Sequence, residues 1–395
     1  MPTRKSPNRS RSTAARRRKG GRPPRTTSRK IRYGVVGLGW FAQNAVLPAF
    51  RNARANSELV ALVSDEPKKL RELGRKYRVE QLYSYDDYAG MLRIGAIDAV
   101  YVVLPNHLHR DYVVTAAEAG VHVLCEKPLA VTEEECEDMI RAAEVNRVRL
   151  MTAYRLHFER GNLEAVELVR SGKIGDPRIF SSVFTMQVED EDNIRLNPIA
   201  KGGGTVYDIG IYCINAARYL FRDEPVEVVA FSANNGERRF RNCDEMTSVI
   251  LRFPGERLAS FTSSFGASDH ASYHVVGTKG ELQVTSAYEY AEPIEMSVTV
   301  GGRKRKREFP RRDQVAAEIL RFSEAVIQGR DPEPSGREGL ADVRIIRAIY
   351  RSAEQGRPVR LPPFEKRLRP TIEQEVRRPP VEEPEAVEAE APGKE

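Results

Sequence analysis

The run from Ile31 to Ala42, "IRYGVVGLGWFA", is an apolar strand pattern that breaks into glycines and then passes into a helix pattern, "NAVLPAFRNA". The spacing Gly37-x-Gly39-x-x-Ala42 puts glycine where the backbone turns tightly. It also lets a pyrophosphate approach a helix N-terminus. Such turns are common, so position is what constrains the fold. The turn heads a regular alternation in which "ELVALVSD", "AIDAVYVVLP", "HVLCE" and "RLMTAY" read as further buried strands. Between them lie helix patterns: "EPKKLRELGRKY", "HRDYVVTAAEAG" and "TEEECEDMIRAAEVN", the last with Thr132 as N-cap and acids in its first turn. Continuous apolar strands alternating with helices demand a parallel sheet covered on both faces. Right-handed crossovers make it a doubly wound, Rossmann-type domain over residues 31–153.

After Arg155 the rhythm changes. A helix over 161–171 leads to "PRIFSSVFTMQV", a glycine-rich loop and a helix near 208–220. Then "PVEVVAFSAN", "MTSVILRF", "RLASFTSSF", "SYHVVGT", "GELQVT" and "EMSVTV" follow without intervening helices. Such a series predicts a C-terminal α+β domain, residues 154–362, built on a large, mainly antiparallel open sheet. Helices near 313–329 and 337–355 close the chain onto the body. The fold class is therefore α/β.

The net charge of +7 belongs to one end. Residues 1–30 hold twelve Lys or Arg and no acid, so the remainder is acidic at −5. That basic arm lacks apolar periodicity and reads as disordered. It could touch nucleic acid electrostatically, but a solvated tail is the favoured reading. Residues 363–395, rich in Pro and Glu, also read as a disordered tail whose removal, from residue 366 on, should leave melting intact. "RKRKR" at 303–307 reads as a hairpin loop between strands. No apolar run reaches the roughly 20 residues of a membrane span. Arg16-Arg17-Arg18 lacks the apolar segment of an export signal. Four scattered cysteines suggest free thiols in a reducing, cytoplasmic setting.

The loop residues Gly37, Leu38, Gly39, Trp40 and Phe41 are cofactor candidates. The second strand ends in Ser64-Asp65, where the adenosine ribose is read. Asp65 could bind both ribose hydroxyls and repel a 2′-phosphate, favouring NAD. Ser64 and Lys69 could instead embrace that phosphate, favouring NADP. The two readings stay open, with NAD slightly ahead.

Five segments together carry a specific resemblance: "GVVGLGWFAQNAVLPAF", "DAVYVVLPNHLH", "HVLCEKPLAV", "MTAYRLHFERGN" and "GGGTVYDIGIYCINAARYL". The chain resembles the glucose–fructose oxidoreductase/inositol dehydrogenase (Gfo/Idh/MocA) family from Ile31 to Pro362, and the last two segments look most like its glucose–fructose branch. The resemblance implies a nicotinamide-dependent sugar or polyol oxidoreductase, commonly a homo-oligomer through the open sheet. It also implies roles for single residues. Lys127 of Glu126-Lys127-Pro128 matches the lysine beside the nicotinamide and the reacting hydroxyl. Pro105, Asn106 and His109 match the loop that packs on the cofactor. Tyr154, Arg155 and His157 lie in the segment joining the domains, towards the substrate. Asp208 and Tyr212 match the catalytic helix, although many relatives carry histidine where Tyr212 stands. His107-x-His109 lacks partners at ligand spacing and is not read as a metal site.

The implied chemistry is hydride transfer with Tyr212 as acid/base, since a neighbouring lysine cation favours phenolate. Lys127 is the electrostatic partner and Asp208 the orienting group. The competing expectation is a non-enzymatic NAD(P)-binding sensor or scaffold, tethered to nucleic acid by its arm.

Overall fold

The computed structural model describes residues 1–3, 29–366, 368–382, 384–389 and 391. The expected disordered basic arm falls almost wholly outside them. Fifteen strands and nine α-helices are present among the described residues. Strands β1 (Ile31–Val36), β2 (Ser57–Val63), β3 (Gln81–Tyr83), β4 (Ala99–Val102), β5 (His122–Glu126) and β6 (Leu150–Ala153) form one sheet in the order β3-β2-β1-β4-β5-β6. Every pairing in it is parallel. The order reverses between β1 and β4, which opens a crevice at the carboxyl edge. Helices α1 (Leu47–Ala53), α2 (Pro67–Tyr77), α3 (Tyr88–Arg93), α4 (His109–Glu118) and α5 (Glu133–Val145) connect these strands. Thr132 caps α5 in a reciprocal box with Glu135. The alternation foresaw five of the six strands. The three-residue β3 is too short to leave a periodic trace.

The second sheet has nine strands: β7 (Pro177–Thr185), β8 (Glu227–Ala233), β9 (Met246–Phe253), β10 (Arg257–Ser264), β11 (His270–Gly277), β12 (Gly280–Thr285), β13 (Ile294–Val300), β14 (Arg303–Phe309) and β15 (Val359–Arg360). All pair antiparallel except β7 with β10. Helices α6 (Arg160–Arg170) and α7 (Ile211–Phe221) cover one face. The basic run 303–307 is not a loop. It forms most of the edge strand β14, and the turn sits before it at Gly301-Gly302. Alternate side chains of an edge strand face solvent on both faces here, and Lys and Arg there discourage pairing with another chain.

Two late helices lock the halves together. From α8 (Gln314–Gln328), Val315, Ile319 and Phe322 enter the core under β1, and Tyr33 Oη meets Ser323 Oγ at 2.7 Å. Helix α9 (Gly336–Gln355) contributes Leu340 and Val343 to the core around β4 and β5, and Ile345 and Ile349 to that of the second sheet.

The C-terminal tail is a correction. The described residues between 363 and 391 do not float free: they form an extended strap that docks by charge. Arg218, fully buried on α7, binds Glu224, Glu338 and Asp342 at 2.6–2.7 Å. One guanidinium cannot neutralise three carboxylates, and Glu333 lies beside them. The strap completes the balance: Lys366 binds Glu333 at 2.8 Å and Glu338 at 3.1 Å, and Arg369 binds Glu224 at 2.7 Å. Farther on, Arg160 holds Glu375 at 2.7 Å. Apolar periodicity could not reveal this, because the strap contributes isolated cations and valines in place of an amphipathic face.

The tail is therefore expected to be required for stability. The Lys366 side chain is only 4% exposed, and replacing it with Met leaves Glu333 without its cation and Glu338 with Arg218 alone, a loss of about 3–5 kcal/mol. Urea unfolding of Lys366→Met and of a chain ending at Glu365 should show that loss. Midpoints equal to the parent chain's would mean that the buried acids are balanced elsewhere.

Candidate active site

Three loops meet at the carboxyl edge of the parallel sheet. The first follows β1. Gly37 has φ +94°, and a Cβ there would lie 2.2 Å from the Val103 carbonyl, so only glycine lets β1 turn so close to the strand beside it. A Cβ on exposed Gly39 would meet nothing within 4 Å. That gap, before a helix N-terminus, is the cradle a pyrophosphate needs. The helix opens with Trp40 and Phe41 and passes through a π-helical turn, Ala42–Val46, before α1. Extra residues of this kind recur at functional sites.

The second loop follows β4. Pro105 and Asn106 are half-buried, and Asn106 Nδ2 donates to the Gly202 carbonyl at 2.7 Å. Gly202 has φ +77°, and a Cβ there would press on Asn106 at 2.7 Å. His109 was expected on the cofactor, but its placement differs. It is wholly buried, with Nδ1 3.0 Å from the Pro128 carbonyl and Nε2 2.8 Å from the Leu104 carbonyl. It ties the second loop to the third, and burial lowers its pKa.

The third loop carries Glu126-Lys127-Pro128 at the end of β5, with a cis bond between Lys127 and Pro128. Lys127 Nζ donates to the Asp208 carbonyl at 2.8 Å and its carboxylate at 3.1 Å, and lies 5.0 Å from the centre of the Tyr212 ring. Burial opposes the ammonium charge, but Asp208, Tyr212 and Glu126 outweigh it and raise the pKa. Asp208 sits in a second π-helical turn, Val206–Gly210, that runs into α7, where Tyr212 lies one turn on. Arg195 Nε donates to the other Asp208 oxygen at 2.7 Å. Burial would raise the Asp208 pKa, yet Arg195 and Lys127 prevail and hold it at about 2.

The Arg155 guanidinium lies 5.1 Å from the centre of the Tyr212 ring, fixed by Gln314 and by the Tyr288 and Glu289 carbonyls. Arg155 also lies over Tyr290, whose ring meets Phe41 of the glycine loop edge-on at 6.5 Å. The half-buried Tyr212 thus has two cations near its ring. Beneath, Tyr101 Oη donates to Glu126 at 2.7 Å, and burial together with Glu126 holds Glu318 well above the usual carboxylate range.

Tyr154 and His157 do not reach this cleft. Both are buried and stacked on each other, with His157 Nε2 2.8 Å from Asn215 Oδ1 and Tyr154 beside Asp342. Burial depresses the His157 pKa to about 4. The linking segment is a 3-10 turn, Arg155–Phe158, so Tyr154 and His157, three residues apart, share one face while Arg155 turns to the site. At the end of β2, Ser64 is buried and Lys69 is nearly so, with its ammonium on Glu66. Asp65 is exposed and accepts the Tyr85 N–H at 2.8 Å. Sequence reasoning missed Arg195, Tyr290, Tyr101 and Glu318; only the polar positions in otherwise apolar or loop segments hinted at them. Among the described residues there is no cluster of three groups able to hold a metal, and no helix long and apolar enough to cross a membrane.

Residues 31–154 match the model of an oxidoreductase family with an NAD-binding Rossmann fold, and residues 162–283 match the GFO/IDH/MocA C-terminal domain. A D-xylose 1-dehydrogenase [NADP(+)] of Haloarcula marismortui is 32% identical over 340 residues, covering 85% of this chain and 94% of its own. D-xylose 1-dehydrogenase (NADP(+)) 2 of Haloferax volcanii is 31% identical, covering 83% and 99%. The crystal structure of aldose-aldose oxidoreductase from Caulobacter crescentus, complexed with glycerol, superposes with TM-score 0.80 at 38% identity, covering 84% and 100%.

Because Arg195 is one of two cations on Asp208, Arg195→Ala should raise the Asp208 pKa. The acid limb of any turnover that needs the Lys127–Asp208 pair should then move up by about 1 unit or more. An unmoved limb in the pH–rate profile would show that Arg195 does not set the Asp208 charge.

Proposed function

The chain belongs to the GFO/IDH/MocA oxidoreductase family, and we propose that it oxidises the anomeric carbinol of an aldose with Tyr212, Lys127 and Asp208 as its catalytic group. It is a nicotinamide-dependent oxidoreductase of the sugar and polyol class. The observation that carries the residue assignment is the convergence of Lys127, Asp208, Arg155 and Tyr212 beyond the carboxyl end of β5. When bound, the nicotinamide supplies the hydride acceptor or donor. Gly37, Leu38, Gly39, Trp40 and Phe41 would hold its pyrophosphate, with Pro105, Asn106 and Glu126 lining the loops alongside.

Tyr212 takes the hydroxyl proton in oxidation and returns it in reduction. Lys127 stabilises negative charge developing on the substrate oxygen or the phenol, in a site where its side chain is largely buried. Arg155 offers a second cation near the same ring. Asp208 touches no proton in this scheme. It pins Lys127 through two acceptors, and with a pKa of about 2 it remains a carboxylate throughout the working range. The ion pair therefore persists from acid to above the ordinary lysine range, with both shifts in the direction that protects it.

For the cofactor, exposed Asp65 supports NAD, and the attachment of Lys69 to Glu66 weakens the case for a phosphate cradle there. Against this stand the relatives named for NADP(+). The charge at Asp65 is the feature that favours NAD. For assembly, the open face of the second sheet exposes Ile179, Val183, Phe231, Ile250 and Leu258 side by side on neighbouring strands, Phe231 at 73%. A patch of this sort supports a homo-oligomer formed through that sheet.

Three measurements test these readings. Lys127→Met and Tyr212→Phe should each lower turnover with aldoses by ~10²–10⁴, with nucleotide affinity near that of the parent chain. The double mutant should lose far less than the product, because the two act as a unit. Normal turnover of Lys127→Met at saturating nucleotide would remove Lys127 from the chemistry. Asp65→Gly should shift preference towards NADP, and a hundredfold NADP preference in the parent chain would show that Asp65 does not face the ribose. Phe231→Glu should give a smaller particle by light scattering; an unchanged mass would exclude that face as the interface.

A further inference from the structure

The strap that balances the buried acids continues along the first body to the nucleotide edge. Arg378 Nε donates to the Asn52 carbonyl at 3.1 Å, at the far end of α1, and Asn52 Nδ2 donates to the Pro379 carbonyl at 2.9 Å. Val387 then reaches the opposite end. Its N–H donates to Gln43 Oε1 at 2.7 Å, and Gln43 Nε2 donates back to its carbonyl at 3.0 Å. The strap thus runs antiparallel to α1, with Val381 buried and Val387 packed on the core beneath.

What it grips there is the glycine loop. The same Gln43 Nε2 donates to the Leu38 carbonyl at 2.9 Å, between Gly37 and Gly39. The Asn44 amide, oriented as its neighbours require, donates to the Pro384 carbonyl at 2.7 Å and accepts the Trp40 indole N–H at 2.6 Å. One residue past Val387, Glu388 pairs with Lys68 at 3.0 Å. Lys68 lies in the first turn of α2, three residues after Asp65. Val387 and Glu388 therefore span from the start of the helix after β1 to the start of the helix after β2. A dinucleotide's adenosine ribose lies beyond the carboxyl ends of those two strands.

We propose that this strap is a built-in part of the nucleotide site, and that Glu388 is a specificity residue disfavouring a 2′-phosphate. It engages the Lys68 ammonium that would otherwise attract the phosphate, and it adds a negative charge of its own. Gln43 and Asn44 are positioning residues through which the strap holds the loop in its binding shape. The inference rests on reading Gly37–Phe41 and Asp65 as nucleotide contacts.

The test is calorimetric titration of the full chain, Glu388→Gln, and a chain ending at Glu382, each with NAD⁺ and NADP⁺. Glu388 is half-exposed, so its substitution should not disturb folding, and the shorter chain keeps Lys366, Arg369 and Glu375. Glu388→Gln should bind NADP⁺ about two- to fivefold tighter relative to NAD⁺, the range that exposed charge pairs give. The chain ending at Glu382 should bind both nucleotides about tenfold more weakly, because a smaller fraction of its loops is binding-competent. If both variants match the full chain for both nucleotides, the strap is a brace of the fold alone and the proposal fails. If Asp65→Gly moves the ratio and Glu388→Gln does not, the Asp65 reading stands without Glu388. If the full chain binds neither nucleotide, the loop reading and this proposal fall together.

Discussion

An ammonium carried into a largely dry cleft must be compensated, and much of the site follows from compensating Lys127. Burial alone would lower its pKa. Asp208 prevents this by offering a carboxylate oxygen and its own backbone carbonyl to the same nitrogen. A carboxylate so placed needs a further cation, and Arg195 supplies it from a loop well before α7 in sequence. The π-helical turn at Val206–Gly210 aims Asp208 at Lys127 while leaving Tyr212 on the helix beneath the ammonium. The packed glycines ahead of that turn let the segment approach the loop after β4, where Asn106 meets Gly202.

The same accounting governs a second place, far from the chemistry. Arg218 gathers Glu224, Glu338 and Asp342 inside the second body, and the set is left acidic until Lys366 and Arg369 arrive. Burying such charges is costly unless each is paired. Pairing here recruits a segment beyond the last regular strand. Tyr154 and His157 belong to this network and not to the cleft. His157 is kept neutral at ordinary pH by burial, with its pKa at about 4, which suits a packing role beside Asn215.

Most of the architecture was legible because it obeys periodicity. The alternation of apolar runs and helices, the glycine turn and the Thr132 cap each state a local preference that agrees with the fold. The illegible parts obey charge or burial instead. Strand β14 carries Arg and Lys at successive positions, so nothing in its pattern says strand; pairing with β13 makes it one. Within the site, Lys127, Asp208 and Tyr212 were found through motifs and do come together. Their neighbours Arg155 and Tyr290 could be placed only by the packing of distant segments. His109 was misjudged because a motif position says which loop a residue occupies, and not whether its ring turns to solvent or back on the carbonyls of Leu104 and Pro128.

A site shared between two bodies works only if the gap between them is fixed, and this chain fixes it several times over. Helix α8 leaves the second body and enters the core beneath β1, and α9 then spans both cores. At the cleft itself, Phe41 touches Tyr290, which lies under Arg155, which lies over Tyr212. The glycine loop, proposed to cradle a pyrophosphate, is thereby linked by contacts to the ring that would handle the proton. Any displacement of the glycine loop is felt at Tyr212 through Phe41, Tyr290 and Arg155, two rigid rings and a guanidinium held by Gln314 and by the Tyr288 and Glu289 carbonyls. Hydride transfer depends on reacting atoms held within a few tenths of an ångström. It is therefore consistent that the loop is gripped on both sides, by Tyr290 within the cleft and by the strap behind it.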